Sequence, residues 1–388
     1  MQQFPAYIVA ARRTSLGRVG GLHRSRRIDA LAAPVVQAVL ADAKIASDDV
    51  DEIVIGNATE GGNPARLIAL AAGLPDRVAA ATIDRQCGSG LDAILTAIRS
   101  VGLGEADVIV AGGADSVSTA PWRVARPMSP YQTPHFLRLE PAMESADDMP
   151  APFEASEALA RRFGITRERQ DQWALDSFDR ATAARTDRRF VGEIVPLRAN
   201  AEEARDQSSI EPDADEFANE TPFVPGDGTL TPANTSTMHD GAAMVVVVSE
   251  RMWTAMGRPP ALRLVQSSVR GVSPAAEAAA PIEAMQTLYS RLNGFNTKDI
   301  GVFEMSEASA AQAVAFIDVL GLDPAIVNPA GGAIARGHPF GAAGAVLVVR
   351  LFTTLVRDAA RDGTSNRHGV AALGTIGGIG LAALFERV

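Results

Sequence analysis

Asp84-Arg85-Gln86-Cys87-Gly88-Ser89-Gly90-Leu91 follows an extended run, Val78 to Ile83. It opens a segment, Leu91 to Val101, whose apolar residues Leu91, Ile94, Leu95 and Ile98 recur at helical spacing. This reading puts Cys87 at a strand-to-helix turn, with its sulfur at the amino end of the helix. Unpaired N–H groups and the helix dipole there favour a thiolate, the nucleophilic form of cysteine. Gly88 and Gly90 remove side chains that would block a substrate from the sulfur. The competing reading is a buried structural cysteine, which is what most lone cysteines are.

Outward from this turn, the pattern is strand and helix in alternation. Strands are expected at Ala6–Ala11, Glu52–Ile55 and Asp107–Ala111, with helices at Ile28–Ala43 and Pro64–Ala72. Pro34 is acceptable only in the first turn of its helix. The order returns after residue 241: strands Ala242–Ser249, Ala261–Val269 and Gly301–Glu304, helices Pro281–Leu292, Ser309–Leu320 and Ala342–Val356, then paired strands 369–373 and 379–385. Such alternation predicts an α/β fold with helices on both faces of a sheet, built from a duplicated unit. Between the two halves, residues 121–238 change texture. A proline- and methionine-rich start precedes helices at Ser156–Phe163 and Thr166–Thr186, then an acidic, irregular stretch, Ala199–Phe223. Excursions of this length commonly form binding lids.

The 388 residues exceed one ordinary core. No uninterrupted apolar run of about 18 residues is present, and Met1–Arg12 does not read as a signal peptide. A single cysteine excludes an internal disulfide and a cysteine-based metal cluster, and points to the cytoplasm. The net charge of −10 argues against an extensive nucleic-acid surface.

His338 stands between glycine and proline in Gly331-Gly332-Ala333-Ile334-Ala335-Arg336-Gly337-His338-Pro339-Phe340-Gly341, a poor place for a core-filling side chain and a good one for a proton carrier. The other histidines, His23, His135, His239 and His368, lie in polar or loop settings and are expected to be mostly solvated. Ser306-Glu307, at a strand end, offers a hydroxyl and a carboxylate, or an ordinary strand-end cap. Gly377-Gly378 and Gly380 are placed either as a tight hairpin or as donors of backbone N–H groups to a reacting oxygen.

Together these stretches resemble the thiolase family, CoA-dependent acyltransferases that make or cleave 3-ketoacyl-CoA. The resemblance runs over essentially the full length. Arg13-Thr14-Ser15-Leu16-Gly17 is similar to the family's opening RTP-x-G, and Cys87-Gly88-Ser89-Gly90-Leu91 to its nucleophile motif. Gly112-Gly113-Ala114-Asp115-Ser116 is similar to GGxES, and Asn234-Thr235-Ser236-Thr237-Met238-His239-Asp240-Gly241-Ala242 to NASxxNDGA. Gly331–Gly341 is nearly the specific GGAIAxGHPxG.

The resemblance implies a five-layered α-β-α-β-α fold. Residues 1–120 with 239–255 would form one half, 256–388 the other, and 121–238 a CoA-binding loop domain. It implies a homodimer or homotetramer, with an acyl-CoA thioester as substrate and no covalently bound cofactor. It implies that Cys87 accepts the acyl group, that His338 activates it, and that Ser236 approaches the pantetheine. The N–H of Cys87 and one from the hairpin near Ile376-Gly377 would form an oxyanion hole, with Gly377 and Gly378 lining the thioester site.

Three positions depart from the family pattern. Its second cysteine, the acid/base of CxGxGxG, is replaced by Gly374, or by Thr375 if one residue is deleted. Its NEAF asparagine, which holds a water, corresponds to Ser306. The histidine and methionine that line the acyl pocket are replaced by the region Ala151–Phe153. Neither Gly374 nor Thr375 titrates near neutrality, so the expected chemistry is acyl transfer onto Cys87 with an altered second half-reaction. An acyl-CoA hydrolase and a CoA-binding subunit of impaired activity are the alternatives.

Overall fold

The computed structural model describes residues 5–137, 153–198, 202–208, 214–363 and 366–388. Its strands are β1 (Ala6–Arg13), β2 (Gly17–Arg18), β3 (Glu52–Gly56), β4 (Ala79–Ile83), β5 (Val108–Asp115), β6 (His239–Ser249), β7 (Leu262–Gly271), β8 (Ile300–Met305), β9 (His368–Thr375) and β10 (Ile379–Arg387). The helices of the first half are α1 (Ile28–Ala43), α2 (Pro64–Ala71) and α3 (Ser89–Gly102). Those of the excursion are α4 (Glu154–Phe163), α5 (Arg167–Thr186) and α6 (Ala214–Asn219). The remainder are α7 (Glu250–Ala255), α8 (Ala280–Arg291), α9 (Ala310–Leu320), α10 (Ala333–Arg336), α11 (Ala343–Phe352) and α12 (Asp358–Asp362).

The duplication is explicit in the strand order, β4-β3-β5-β6-β1-β7-β10-β9-β8. In the first half β4 and β5 flank β3 in parallel, and β6 and β1 follow antiparallel. In the second, β9 lies parallel to β8, and β10 and β7 follow antiparallel. The counterpart of β4 is reduced to one parallel bridge from Phe303 to Val327, extended by the Asn328 N–H donating to the Phe303 carbonyl at 2.8 Å. The half-sheets join where β1 meets β7, through Tyr7 opposite Arg263 and Ile8 opposite Leu262.

Alternation along the strands sorts the apolar side chains into three cores. Ile8, Val54, Ile109 and Val245 of the first half and Val302, Leu373, Leu381 and Phe385 of the second enclose α3 and α11. The opposite faces pack on α1 and α2 in the first half, and on α8 and α9 in the second. Helix, sheet, helix, sheet, helix is the five-layer arrangement. The run Phe340–Asp362 is long and apolar enough to cross a membrane, yet 89% of its apolar window is buried in this fold, so it serves as a core helix.

Two expectations need correction. Pro34 sits two turns inside α1 instead of in its first turn. The carbonyl it leaves without a donor belongs to Ala30, an exposed residue that water can reach. The expected helix 342–356 is broken into a 3₁₀ turn, α11, a π turn at Thr353–Arg357, and α12.

Candidate active site

The turn before α3 is held by its own side chains. Ser89 Oγ donates to the Gln86 carbonyl at 2.6 Å and accepts the Arg85 N–H at 2.7 Å. Gln86 takes φ +51°, in the left-handed region, at a cost of ~1–2 kcal/mol. That kink turns Cys87 toward the central layer, where it is 6% exposed. Its own N–H and that of Ile376 point at the sulfur.

Two chain segments close on this turn. A Cβ on Gly88 would lie 3.1 Å from Thr375 Cγ2, so the hairpin between β9 and β10 touches it from one side. A Cβ on Gly90 would lie 2.6 Å from the Gly341 carbonyl oxygen, so the histidine loop touches it from another. Asp115, at the end of β5, ties that loop down by accepting the Gly341 N–H at 2.6 Å, along with Asn57 Nδ2 and the Ala58 and Thr59 N–H groups.

His338 is half-buried, with its N–H donating to Thr237 O at 2.9 Å and its carbonyl accepting the His239 N–H at 3.0 Å. The strand-like segment 236–239 therefore runs beside it. Ser236, partly exposed, donates its N–H to Ala308 O at 3.2 Å. Ser306 Oγ faces His338 Nδ1 across a long 3.4 Å contact. Cys87, His338, Ser306 and Ser236 thus belong to one cluster of adjoining loops.

The two hairpin positions part company. Thr375 shares the Cys87 face, its Oγ1 donating to Ile376 O at 3.0 Å. Gly374 faces the outer helices, where a Cβ would lie 3.0 Å from Pro281 Cδ and 3.5 Å from Gln312 Nε2. The glycine N–H groups are engaged elsewhere. Gly377 donates to Glu277 Oε2 at 2.8 Å and Gly378 to Thr375 O at 3.2 Å, which leaves the Ile376 N–H as the hairpin donor at the sulfur.

The electrostatics depart from the expected thiolate. Burial, with the Asp115 and Glu277 charges, pushes the Cys87 thiol up to about 12, outweighing the two N–H groups. Burial and the neighbouring His239 bring His338 down to about 4. The resting pair is a neutral thiol and a neutral imidazole. Burial also raises Asp115 to about 7 against its hydrogen bonds.

Other placements differ from expectation. His23 and His239 are fully buried, not solvated. His239 is held between the Thr237 and Gln207 carbonyls. Glu307 is a buried carboxyl that accepts from Ser177 Oγ and Asn328 Nδ2. Of the expected pocket segment, Ala151 and Pro152 lie outside the described residues, and Phe153 stacks on Phe223 with ring centroids 4.1 Å apart. No local motif marks Glu277 in the sequence, where it is one acid in an alanine-rich run, Ala275 to Ala280.

The family models for the thiolase N-terminal domain and the thiolase C-terminal domain match residues 6–251 and 258–387. The chain belongs to the thiolase family and is an acyltransferase. It is 38% identical to YhfS of Bacillus subtilis, a protein named for acetyl-CoA C-acetyltransferase activity, over 98% of this chain and 99% of that one. It is 34% identical to the similarly named VraB of Staphylococcus epidermidis, over 98% of each. Among solved structures, the Bacillus anthracis acetyl-CoA acetyltransferase superposes with a TM-score of 0.90 at 32% identity, covering 100% of both chains. The Acat5 thiolase from Ascaris suum, solved in complex with coenzyme A, superposes with a TM-score of 0.89 at 29% identity, over 99% of this chain and 100% of that one.

Proposed function

We propose that the protein forms or cleaves 3-ketoacyl-CoA by ping-pong transfer through an acyl-Cys87 intermediate. The observation that carries this reading is the meeting of the Cys87 turn with the histidine loop on one side and the Ile376 N–H on the other. The Cys87 sulfur attacks the thioester carbonyl while His338 accepts its proton, so charge develops only as the carbon–sulfur bond forms. The N–H groups of Cys87 and Ile376 are suited to take the negative oxygen of the tetrahedral intermediate. The bond between the acyl carbon and the CoA sulfur then breaks, and CoA leaves as the thiol with the proton from His338.

Ser306 orients the imidazole, and Ser236 lies along the path of the pantetheine. Residues 121–238 are read as the CoA-binding loop domain. A cytoplasmic homodimer or homotetramer completes the reading, supported by the exposed Trp122, Met128 and Tyr131, which suit a subunit contact. The substrate class is supported by similarity to relatives named as acetyl-CoA acetyltransferases and to a thiolase solved in complex with coenzyme A.

The test is intact-mass analysis after incubation with acetyl-CoA and longer acyl-CoAs, with release of free CoA followed in parallel. One acyl adduct on the wild type and none on Cys87→Ala is expected. No adduct, or an adduct that persists in Cys87→Ala, overturns the reading. Stoichiometric CoA release that leaves free acid as the sole product points to hydrolysis instead.

A further inference from the structure

The family's second thiol is absent, and the surroundings of its position hold a carboxyl. Glu277 lies in the 3₁₀ turn Pro274–Ala279, ahead of α8. Its Oε2 accepts the Gly377 N–H at 2.8 Å. The preceding N–H, that of Ile376, points at the Cys87 sulfur. Carboxylate and sulfur are thus held by neighbouring residues of one hairpin, whose Cα atoms are about 3.8 Å apart. A Cβ on Gly374, one of the two candidate positions for the missing thiol, would lie 3.6 Å from the Glu277 main-chain carbonyl oxygen, so the backbone of this glutamate adjoins it.

We propose that Glu277 is the acid/base of the second half-reaction, carrying the α-carbon proton that a thiol carries elsewhere in the family. The proposal rests on the acyl-Cys87 reading above. In the synthetic direction a Glu277 oxygen takes a proton from the α-carbon of the second acyl-CoA. The C–H bond breaks and an O–H bond forms. The electron pair left on carbon forms the new C–C bond at the acyl-Cys87 carbonyl. The carbonyl–sulfur bond breaks with its electrons returning to Cys87, which recovers the proton from Glu277. One carbon–carbon bond is made, one carbon–sulfur bond is lost, and no net proton is consumed.

The environment suits this task. Glu277 is half-buried, which raises its carboxyl above the ordinary carboxylate range against the pull of the Gly377 N–H. Among the described residues no ion pair fixes its charge, and its charge acts on Cys87. Asp115, the other carboxyl acting on Cys87, is fully buried and saturated with donors, which leaves it a positioning residue.

Glu277→Gln separates the roles, because an amide oxygen still accepts the Gly377 N–H but has no basicity. Acylation of Cys87 by acetyl-CoA, followed by intact mass, and 3-ketoacyl-CoA formation are measured on the same samples. The expected result is acylation at the wild-type rate, accumulation of acyl-enzyme, and a roughly 10²- to 10⁴-fold slower condensation. Glu277→Asp should recover part of the rate. Condensation at the wild-type rate in Glu277→Gln overturns the proposal, as do equal losses in both half-reactions or a wild type that acylates without condensing. A wild type that never acylates on Cys87 refutes the underlying reading instead.

Discussion

The Gly341 N–H meets the Asp115 carboxyl at 2.6 Å, so the end of a central strand anchors the loop that carries His338 three residues earlier. The same carboxyl accepts from Asn57 and Thr59, which follow β3. One buried acid therefore sets the loop's height above the sheet. Asp115→Asn loses acceptor capacity for several donors, and acylation should fall as the loop loosens. The folded-state value of about 7 lies above the unfolded 3.8, so this group's stabilising contribution is complete below about pH 4 and is lost as pH rises through 7. Thermal unfolding from pH 4 to 8 should show a shallower decline for Asp115→Asn than for wild type.

The neutral thiol–imidazole pair predicts a specific reactivity. With Cys87 near 12, about one sulfur in 10⁴ is ionised at pH 8, so iodoacetamide should label it far more slowly than the unfolded chain. Acylation should instead stay level from pH 5 to 8, because His338 remains neutral above about 4. His338→Ala should slow acylation by about 10²- to 10⁴-fold while leaving alkylation nearly unchanged. A fast-alkylating Cys87 would mean a preformed ion pair.

Gly90→Ala would place a methyl 2.6 Å from the Gly341 carbonyl and 2.9 Å from the Ala345 nitrogen, both backbone atoms. The two loops must separate, at a cost of about 1–3 kcal/mol. Urea unfolding should show that loss, and acylation should drop well beyond what the unfolded fraction explains.

Gly374→Cys tests the vacated position directly. Its Cβ meets Pro281 Cδ at 3.0 Å, a contact relieved by a shift of a few tenths of an ångström. Built in the Glu277→Gln background, the thiol should restore condensation measurably. Thr375→Cys faces the nucleophile turn instead, and its recovery should be smaller. Equal recovery would show that either face of the hairpin reaches the substrate.

Much of this was readable along the chain, wherever a signal was local. The apolar spacing from Leu91 to Ile98 marked α3, and glycine punctuation marked the turns of Cys87 and His338. Ser309 and Thr166 cap their helices, accepting the Gln312 and Arg169 N–H groups. What escaped depends on partners far away in sequence. Arg13 is buried because Glu193 receives it at 2.6 Å, and Glu277 matters because Gly377 lies a hundred residues on. The thiolate expectation failed for a related reason. The helix terminus is visible in the sequence, but the burial and the two carboxyls that outweigh it arrive from other strands and turns.

The repeat assigns Cys87 and His338 to matching corners, each just ahead of the central helix of its own half. Gly90 at the head of one such helix and Gly344 near the start of the other admit no side chain, since a Cβ at either would strike the opposing segment. The gap between sulfur and imidazole is consequently gauged by the thickness of two bare backbones, a dimension that loop motion or surface change cannot easily retune.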